Sequence, residues 1–331
     1  MSEFTFNLTP ITVPKVDTKY RKIITQLPVP QSLEIVQTLY QYESSSMHGQ
    51  IPMVWDRAEG FQVFDAWGNK WLDFTSTIFV ANAGHGNKRI INALHEVLEK
   101  PLLHSYTYPT KERADYIQYL IENTPSQFEK AFLTSAGTEA TECSLKLMRM
   151  YGQKYGKNHL GILCFENNWH GRTMGAQMLC SNTSQKEWAG FDDPNIHHLP
   201  FPYPWIKEAI EDPPKYFRQS LEKLLEEKRL SVDSDLCGIM LETFQGWGAV
   251  FYPKEFVKEV IGEKYLIPNI AVYDKVDQID FSTLPKSFVF KANHGSGWNI
   301  ICANKLDIDI IKTKIQLNNW LNTNYKKYLN K

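Results

Sequence analysis

The spacing of apolar residues changes period several times along the chain, and each change marks an element. Residues 1–50 mix prolines with short polar stretches and hold no period, so they read as an arm lying on other structure or across a partner subunit. From Phe61 the alternation Phe61, Val63, Asp65, the turn pair Gly68-Asn69 and then Trp71-Leu72-Asp73-Phe74 predict a β-hairpin. After Gly86, residues Ile90, Ile91, Leu94, Val97 and Leu98 recur at helical spacing. Beyond Pro109, Ala114, Ile117, Leu120 and Ile121 predict a second helix with a buried stripe.

From Lys130 short apolar runs alternate with amphipathic stretches, the rhythm of βαβ units that build a parallel sheet. The runs are 131–133, 161–165 and 236–241. A helix after the first run presents Ala140, Cys143, Leu147, Met148 and Tyr151 as its apolar face, and a charged helix is expected around Glu222 to Arg229. Near residue 260 the pattern changes to an Asp-rich, strand-like stretch, then an apolar run from Phe288 to Cys302, then a final helix. The expected organisation is an arm over 1–50, an α/β region over 51–259 and a smaller α+β piece over 260–331.

A chain of 331 residues, 43% hydrophobic and 22% charged, is long enough to bury a large core. Its formal net charge of -1 creates no field that would gather nucleic acid or an anionic membrane, so neither is an expected partner. Met1 to Pro10 has no basic stretch followed by an apolar core, and no apolar run approaches the length of a membrane span, which points to the cytoplasm. The five cysteines form no CxxC pair or Cys/His cluster of metal spacing, so no metal site is expected.

Three loops carry candidate chemistry. Leu133-Thr134-Ser135-Ala136-Gly137-Thr138-Glu139-Ala140 passes from an expected strand through small residues into a helix. Small residues admit close approach to the backbone, first-turn N–H groups point outward, and the helix dipole favours a phosphate. Ser135 and Thr138 add hydroxyls, although an ordinary capped strand–helix turn has the same composition. The second strand ends in Glu166-Asn167-Asn168-Trp169-His170-Gly171-Arg172-Thr173. Ligands gather at the carboxyl ends of parallel strands, which sets the Trp169 indole beside the cup as a stacking surface for a planar ring. A Trp-His pair that only packs remains the alternative, and the same choice applies to His170. The third strand ends in Glu242-Thr243-Phe244-Gln245-Gly246-Trp247-Gly248, with Glu242 either in the site or on a solvated rim.

Together these loops resemble class III, fold-type I, pyridoxal-phosphate aminotransferases. The run from Ser135 to Ala140 resembles their phosphate motif, and Trp169-His-Gly-Arg-Thr their ring-stacking loop. Leu241-Glu-Thr-Phe-Gln-Gly-Trp-Gly resembles their Glu-Pro-x-Gln-Gly strand end, with Thr243 in place of Pro. Gly68-Asn-Lys-Trp-Leu-Asp-Phe with Ala83-Gly-His resembles their N-terminal signature. The resemblance implies a fold-type I large domain with a mainly parallel sheet, a homodimer, and amino transfer between a primary amine and a keto acid or sugar. It implies pyridoxal phosphate held by Ser135, Ala136, Gly137, Thr138, Trp169, His170, Glu242 and Gln245. The family's cofactor-linking lysine and ring-nitrogen carboxylate belong to later strands, and no matching context follows Lys258. The expected large domain is therefore incomplete, its catalytic residues are unassigned, and cofactor binding is expected to be non-covalent. A non-catalytic cofactor-binding or interaction protein is the competing expectation.

Phe288-Val-Phe-Lys291-Ala-Asn-His294-Gly295-Ser296-Gly297-Trp-Asn-Ile-Ile-Cys reads as a hairpin whose turn could cover a polyphosphate, with Lys291 as the cation. A plain Gly-Ser-Gly hairpin is the other reading. With Ile261-Gly-Glu-Lys-Tyr-Leu-Ile-Pro, this run resembles a fragment of the TupA-like ATP-grasp family of polysaccharide biosynthesis. That resemblance implies ATP as a ligand of Lys291, His294, Gly295, Ser296 and Gly297, and an ATP-dependent ligase or transferase as a third expectation.

Overall fold

A computed structural model describes residues 6–100, 102, 104–202, 212–246, 248, 250–262, 270–292 and 299–323. They divide into two compact units, one of residues 1–109 with 273–331 and the other of residues 110–272.

In the first unit the predicted hairpin forms, but the arm is part of it. Strands β1 (Val16–Asp17), β2 (Lys22–Ile23), β3 (Arg57–Glu59), β4 (Gln62–Phe64) and β5 (Lys70–Leu72) make an antiparallel sheet of order β1-β2-β5-β4-β3. Val63 pairs with Trp71 and Lys22 with Lys70. The Asn69 side chain makes the join: its Oδ1 accepts Ile24 N–H at 2.8 Å, while its Nδ2 donates to Asp65 Oδ2 at 2.7 Å. Beyond β5, Ser76, Thr77, Ile78 and Phe79 all have left-handed φ of 47–70°. Such residues cost roughly 1–2 kcal/mol each. Asp73 offsets part of that cost by accepting from Thr75 N, Thr75 Oγ1 and Thr77 N, and His85 Nε2 lies 2.7 Å from its Oδ2.

The expected helix after Gly86 is Lys88–Leu98, with Asn87 capping it through Arg89 N–H. None of its residues is buried, so the apolar face from Ile90 to Leu98 is exposed.

Strands β9 (Phe288–Lys291) and β10 (Asn299–Cys302) form the hairpin predicted near the C-terminus. With the helix Ile310–Leu321 they enclose a small core of Val276, Ile279, Phe281, Leu284, Phe288, Cys302, Leu317 and Trp320. Among its described residues the preceding Asp-rich stretch forms no strand: its one regular element is a 3-10 turn, Val276–Gln278, and after it Asp280 Oδ1 accepts Ser282 N–H while Asp280 O accepts the Thr283 hydroxyl.

The second unit holds a parallel sheet of order β7-β6-β8, from β6 (Gly161–Phe165), β7 (Ile196–Leu199) and β8 (Leu236–Ile239). Every residue of β6 is buried, which explains its unbroken apolar run. Alternate side chains serve opposite faces. Ile162 and Cys164 pack with Leu145, Met178, Leu179 and Ile196, whereas Leu163 and Phe165 pack with Leu199, Phe201, Phe217 and Phe256.

Three expectations fail in this unit. Residues 131–133 form no strand and join no ladder among the described residues, and Phe132 is 79% exposed. The Lys111–Glu122 helix forms, yet nothing on it is fully buried. The Gly137–Lys154 helix is rotated from its expected face: Leu145 and Gly152 are buried, while Leu147 and Tyr151 are exposed. Close packing on β8 sets this rotation. A Cβ on Gly152 would lie 2.8 Å from Cys237 Cβ, and one on Gly238 would lie 2.3 Å from Met148 Sδ.

Candidate functional site

Because the far end of the Gly137–Lys154 helix packs at the start of the strands, its first turn comes to their carboxyl ends. Ala136 is the N-cap and supplies no side-chain cap to the opening amides. An uncapped first turn with an aligned helix behind it favours an anion. The molecule itself shows the preference next door, where Ser135 N–H donates to Glu139 Oε2 at 2.7 Å. A carboxylate oxygen thus already occupies one donor of the cup. Gly137 keeps the mouth open, since a Cβ there would meet nothing within 4 Å.

The loop after β6 touches this turn directly. Thr138 Oγ1 and Thr173 Oγ1 are 2.9 Å apart, and Thr173 Oγ1 donates to Glu142 Oε1. Gly171, at φ +130°, makes the approach possible: a Cβ on it would stand 2.2 Å from Thr138 Oγ1. Two hydrogen bonds, the first buried and the second half-buried, hold the loop to the chain that follows it, Asn168 Nδ2 to Leu179 O at 2.7 Å and Ser181 N–H to Asn168 Oδ1 at 2.8 Å. Trp169 is half-buried, and the Arg172 guanidinium lies 5.3 Å from its ring centroid, a cation–π distance that also brings positive charge to the loop.

His170 departs from the expectation of a cofactor contact. It is buried, its N–H donates to Cys180 Sγ at 3.3 Å, and its Nε2 has no partner. Burial, with a smaller push from His198, lowers its pKa to about 4, so the ring packs as a neutral imidazole and offers an anion no charge at neutral pH.

The third strand end closes on the second. Glu242 accepts from Gly246 N–H at 3.3 Å and from Trp169 N–H. Burial raises its pKa above the ordinary glutamate value, against the pull of those two bonds. Gln245 is buried and donates from Nε2 to Glu166 O at 2.6 Å, and its backbone pairs with Val250. It locks one strand end to the other rather than opening a polar group outward.

The structure therefore brings Ser135, Ala136, Gly137, Thr138, Trp169, Glu242 and Gln245 into one neighbourhood. Uncapped amides beside two hydroxyls, with an arginine and an accessible indole near them, fit a phosphate ester that carries a flat ring. Sequence reasoning missed Glu139, Glu142, Gly171 and Thr173 as working parts. Glu142 had a signal, since it lies one helical turn after Thr138 and so on the same face. At the second candidate loop, Lys291 is exposed at the end of β9 opposite Asn299, whereas His294, Gly295, Ser296 and Gly297 lie outside the described residues. Among the described residues no His/Cys/Asp/Glu group could hold a metal, and no helix is long and apolar enough to cross a membrane.

Comparison with known proteins bears on the family and the fold. The family model for class-III aminotransferases matches residues 43–262, and that for TupA-like ATPgrasp matches residues 251–331. The mitochondrial acetylornithine aminotransferase of Saccharomyces cerevisiae is 30% identical over 221 residues, covering 64% of this chain and 48% of its own. That of Clostridium acetobutylicum is 36% identical over 142 residues, 42% of this chain and 36% of its own. An omega-transaminase from Thermomicrobium roseum superposes with TM-score 0.60 at 24% identity, covering 68% of this chain and 52% of its own. A taurine:2-oxoglutarate aminotransferase from Bifidobacterium kashiwanohense, solved with PLP and glutamate, gives 0.59 at 19% identity, covering 71% and 52%. The chain spans about half the length of the curated relatives it matches.

Proposed function

The chain belongs to the class-III aminotransferase family, and from that premise we propose that its Thr110–Val272 unit seats pyridoxal phosphate non-covalently as part of an amino-transfer protein. One observation carries the reading: an uncapped helix start is joined to a tryptophan loop by the Thr138–Thr173 contact. When bound, pyridoxal phosphate supplies an electron-withdrawing ring for chemistry on an amine. The residues of this chain do the holding. Ser135, Gly137 and Thr138 bind the phosphate, Trp169 provides the ring's stacking surface, and Glu242 orders the loop through Trp169 N–H. Glu166, Gln245 and Asn168 fix the loop backbones. The substrate class is a primary amine with a keto acid or sugar, the setting a cytoplasmic homodimer. The exposed apolar face of Lys88–Leu98 supports a protein partner. No lysine of this chain is assigned the proton shuttle. The hairpin of β9 and β10 with the ATPgrasp match supports ATP near Lys291 as a separate, second reading.

The test is incubation with pyridoxal phosphate, gel filtration, borohydride reduction and mapping of lysines by mass spectrometry. The expected result is retained cofactor that inorganic phosphate displaces, without a stoichiometric lysine adduct. Retention that ignores phosphate would remove the seat. A single fully labelled lysine would overturn the non-covalent part.

A further inference from the structure

Glu142 lies outside the cup yet determines which way the cup's hydroxyl points. Its Oε1 accepts two donors, Ala176 N–H at 3.0 Å and Thr173 Oγ1–H. A backbone amide can only donate, so this oxygen is an acceptor. The single proton of Thr173 is committed to it. In the 2.9 Å contact between the hydroxyls, Thr173 must then accept and Thr138 must donate. Thr138 has one proton as well, and this chain turns it away from the phosphate position. A ligand oxygen entering the cup meets acceptor capacity at Thr138 until that bond is given up.

We infer that Glu142 is a positioning residue that, through Thr173, fixes the proton direction of Thr138 and holds the cup below its full affinity for phosphate. This rests on the phosphate-seat reading. Gly171 is what brings the two hydroxyls within reach, since no other residue type leaves room beside Thr138 Oγ1. The net value of one neutral hydrogen bond corresponds to a change of about threefold to tenfold in affinity.

The experiment titrates pyridoxine 5′-phosphate, which has the ring and phosphate but no aldehyde to react with surface lysines, into the full chain by calorimetry. Thr173→Val removes the acceptor for the Thr138 proton and keeps the charge of Glu142, so it binds about threefold to tenfold tighter than wild type. Thr173→Ser restores the chain of bonds and returns to wild-type affinity. In a Thr138→Val background, Thr173→Val has no effect. Glu142→Ala, which frees the Thr173 proton, binds tighter than Glu142→Gln, which keeps the acceptor oxygen, although both lack the charge. A purely structural role for Thr173 and Glu142 predicts equal or weaker binding in every variant, and that result overturns the inference while the seat stands. Failure of wild type and all variants to bind removes the seat and the inference together.

Discussion

Replacing Gly171 with alanine should damage both the fold and the anion cup, by an amount the geometry sets. The new Cβ would lie 2.2 Å from Thr138 Oγ1, 2.8 Å from Thr138 Cβ and 3.0 Å from Ala176 Cβ, against ordinary contacts beyond 3.4 Å. Thr138 cannot clear it by rotation alone, because its own Cβ is also too close. The backbone adds a second cost, since φ of +130° is a glycine conformation. Strain of roughly 1–2 kcal/mol for the backbone and about 1–3 kcal/mol for overpacking gives a loss of about 3 kcal/mol. Urea unfolding of wild type and Gly171→Ala measures it, followed by titration with pyridoxine 5′-phosphate under conditions where both are folded. The affinity should fall at least tenfold as the clash with Thr138 Cβ shifts the first-turn backbone amides out of the cup. A variant within about 0.5 kcal/mol of wild type with unchanged affinity would refute the contact between the two loops.

Further predictions concern single groups. His170, lowered to about 4 from 6.5, contributes stability that is intact above pH 6.5 and lost as pH falls toward 4. Between pH 7 and about 4.5 wild type should lose about 2 kcal/mol more than His170→Phe in denaturant titrations, and parallel curves would contradict the buried imidazole. Gln245→Met removes the donor to Glu166 O and should cost about 1–3 kcal/mol in the same assay, where no change would show the strand ends joined by other means. Glu139→Ala frees Ser135 N–H, so phosphate affinity should rise while stability falls by about 0.3–1 kcal/mol with loss of the first-turn charge. Weaker phosphate binding would mean the carboxylate helps the anion rather than standing in for it.

What the sequence revealed follows from which signals are local. β6 was legible because burial on both faces demands an unbroken apolar run, and Gly161-Ile-Leu-Cys-Phe has one. The Gly68-Asn69 turn was legible from its residue types, yet its role in binding the arm through Asn69 to Ile24 and Thr25 was not, because that pairing joins residues more than forty apart. Residues 131–133 carry the same kind of apolar signal as β6, but a ladder also needs a neighbour. The rotation of the Gly137–Lys154 helix depended on glycines on two elements, Gly152 and Gly238, meeting Cys237 and Met148. In the site, the nearness of the 135–138 turn to the Trp169 loop was readable from the order of strands and loops. The hydroxyl chain from Thr138 to Glu142 was not, because the direction of its protons depends on a third group, Ala176 N–H, placed there by folding.

Gly137→Asp probes whether the start of the Gly137–Lys154 helix is a phosphate seat. A Cβ at this position meets nothing within 4 Å, and an acid in the first turn suits the helix dipole, so the fold should be retained. The carboxylate would sit where the phosphate belongs. Calorimetric titration with pyridoxine 5′-phosphate should show saturable, one-to-one binding to wild type and a loss of at least tenfold in Gly137→Asp, with melting temperature unchanged or higher. Equal affinity in the two proteins would contradict the seat.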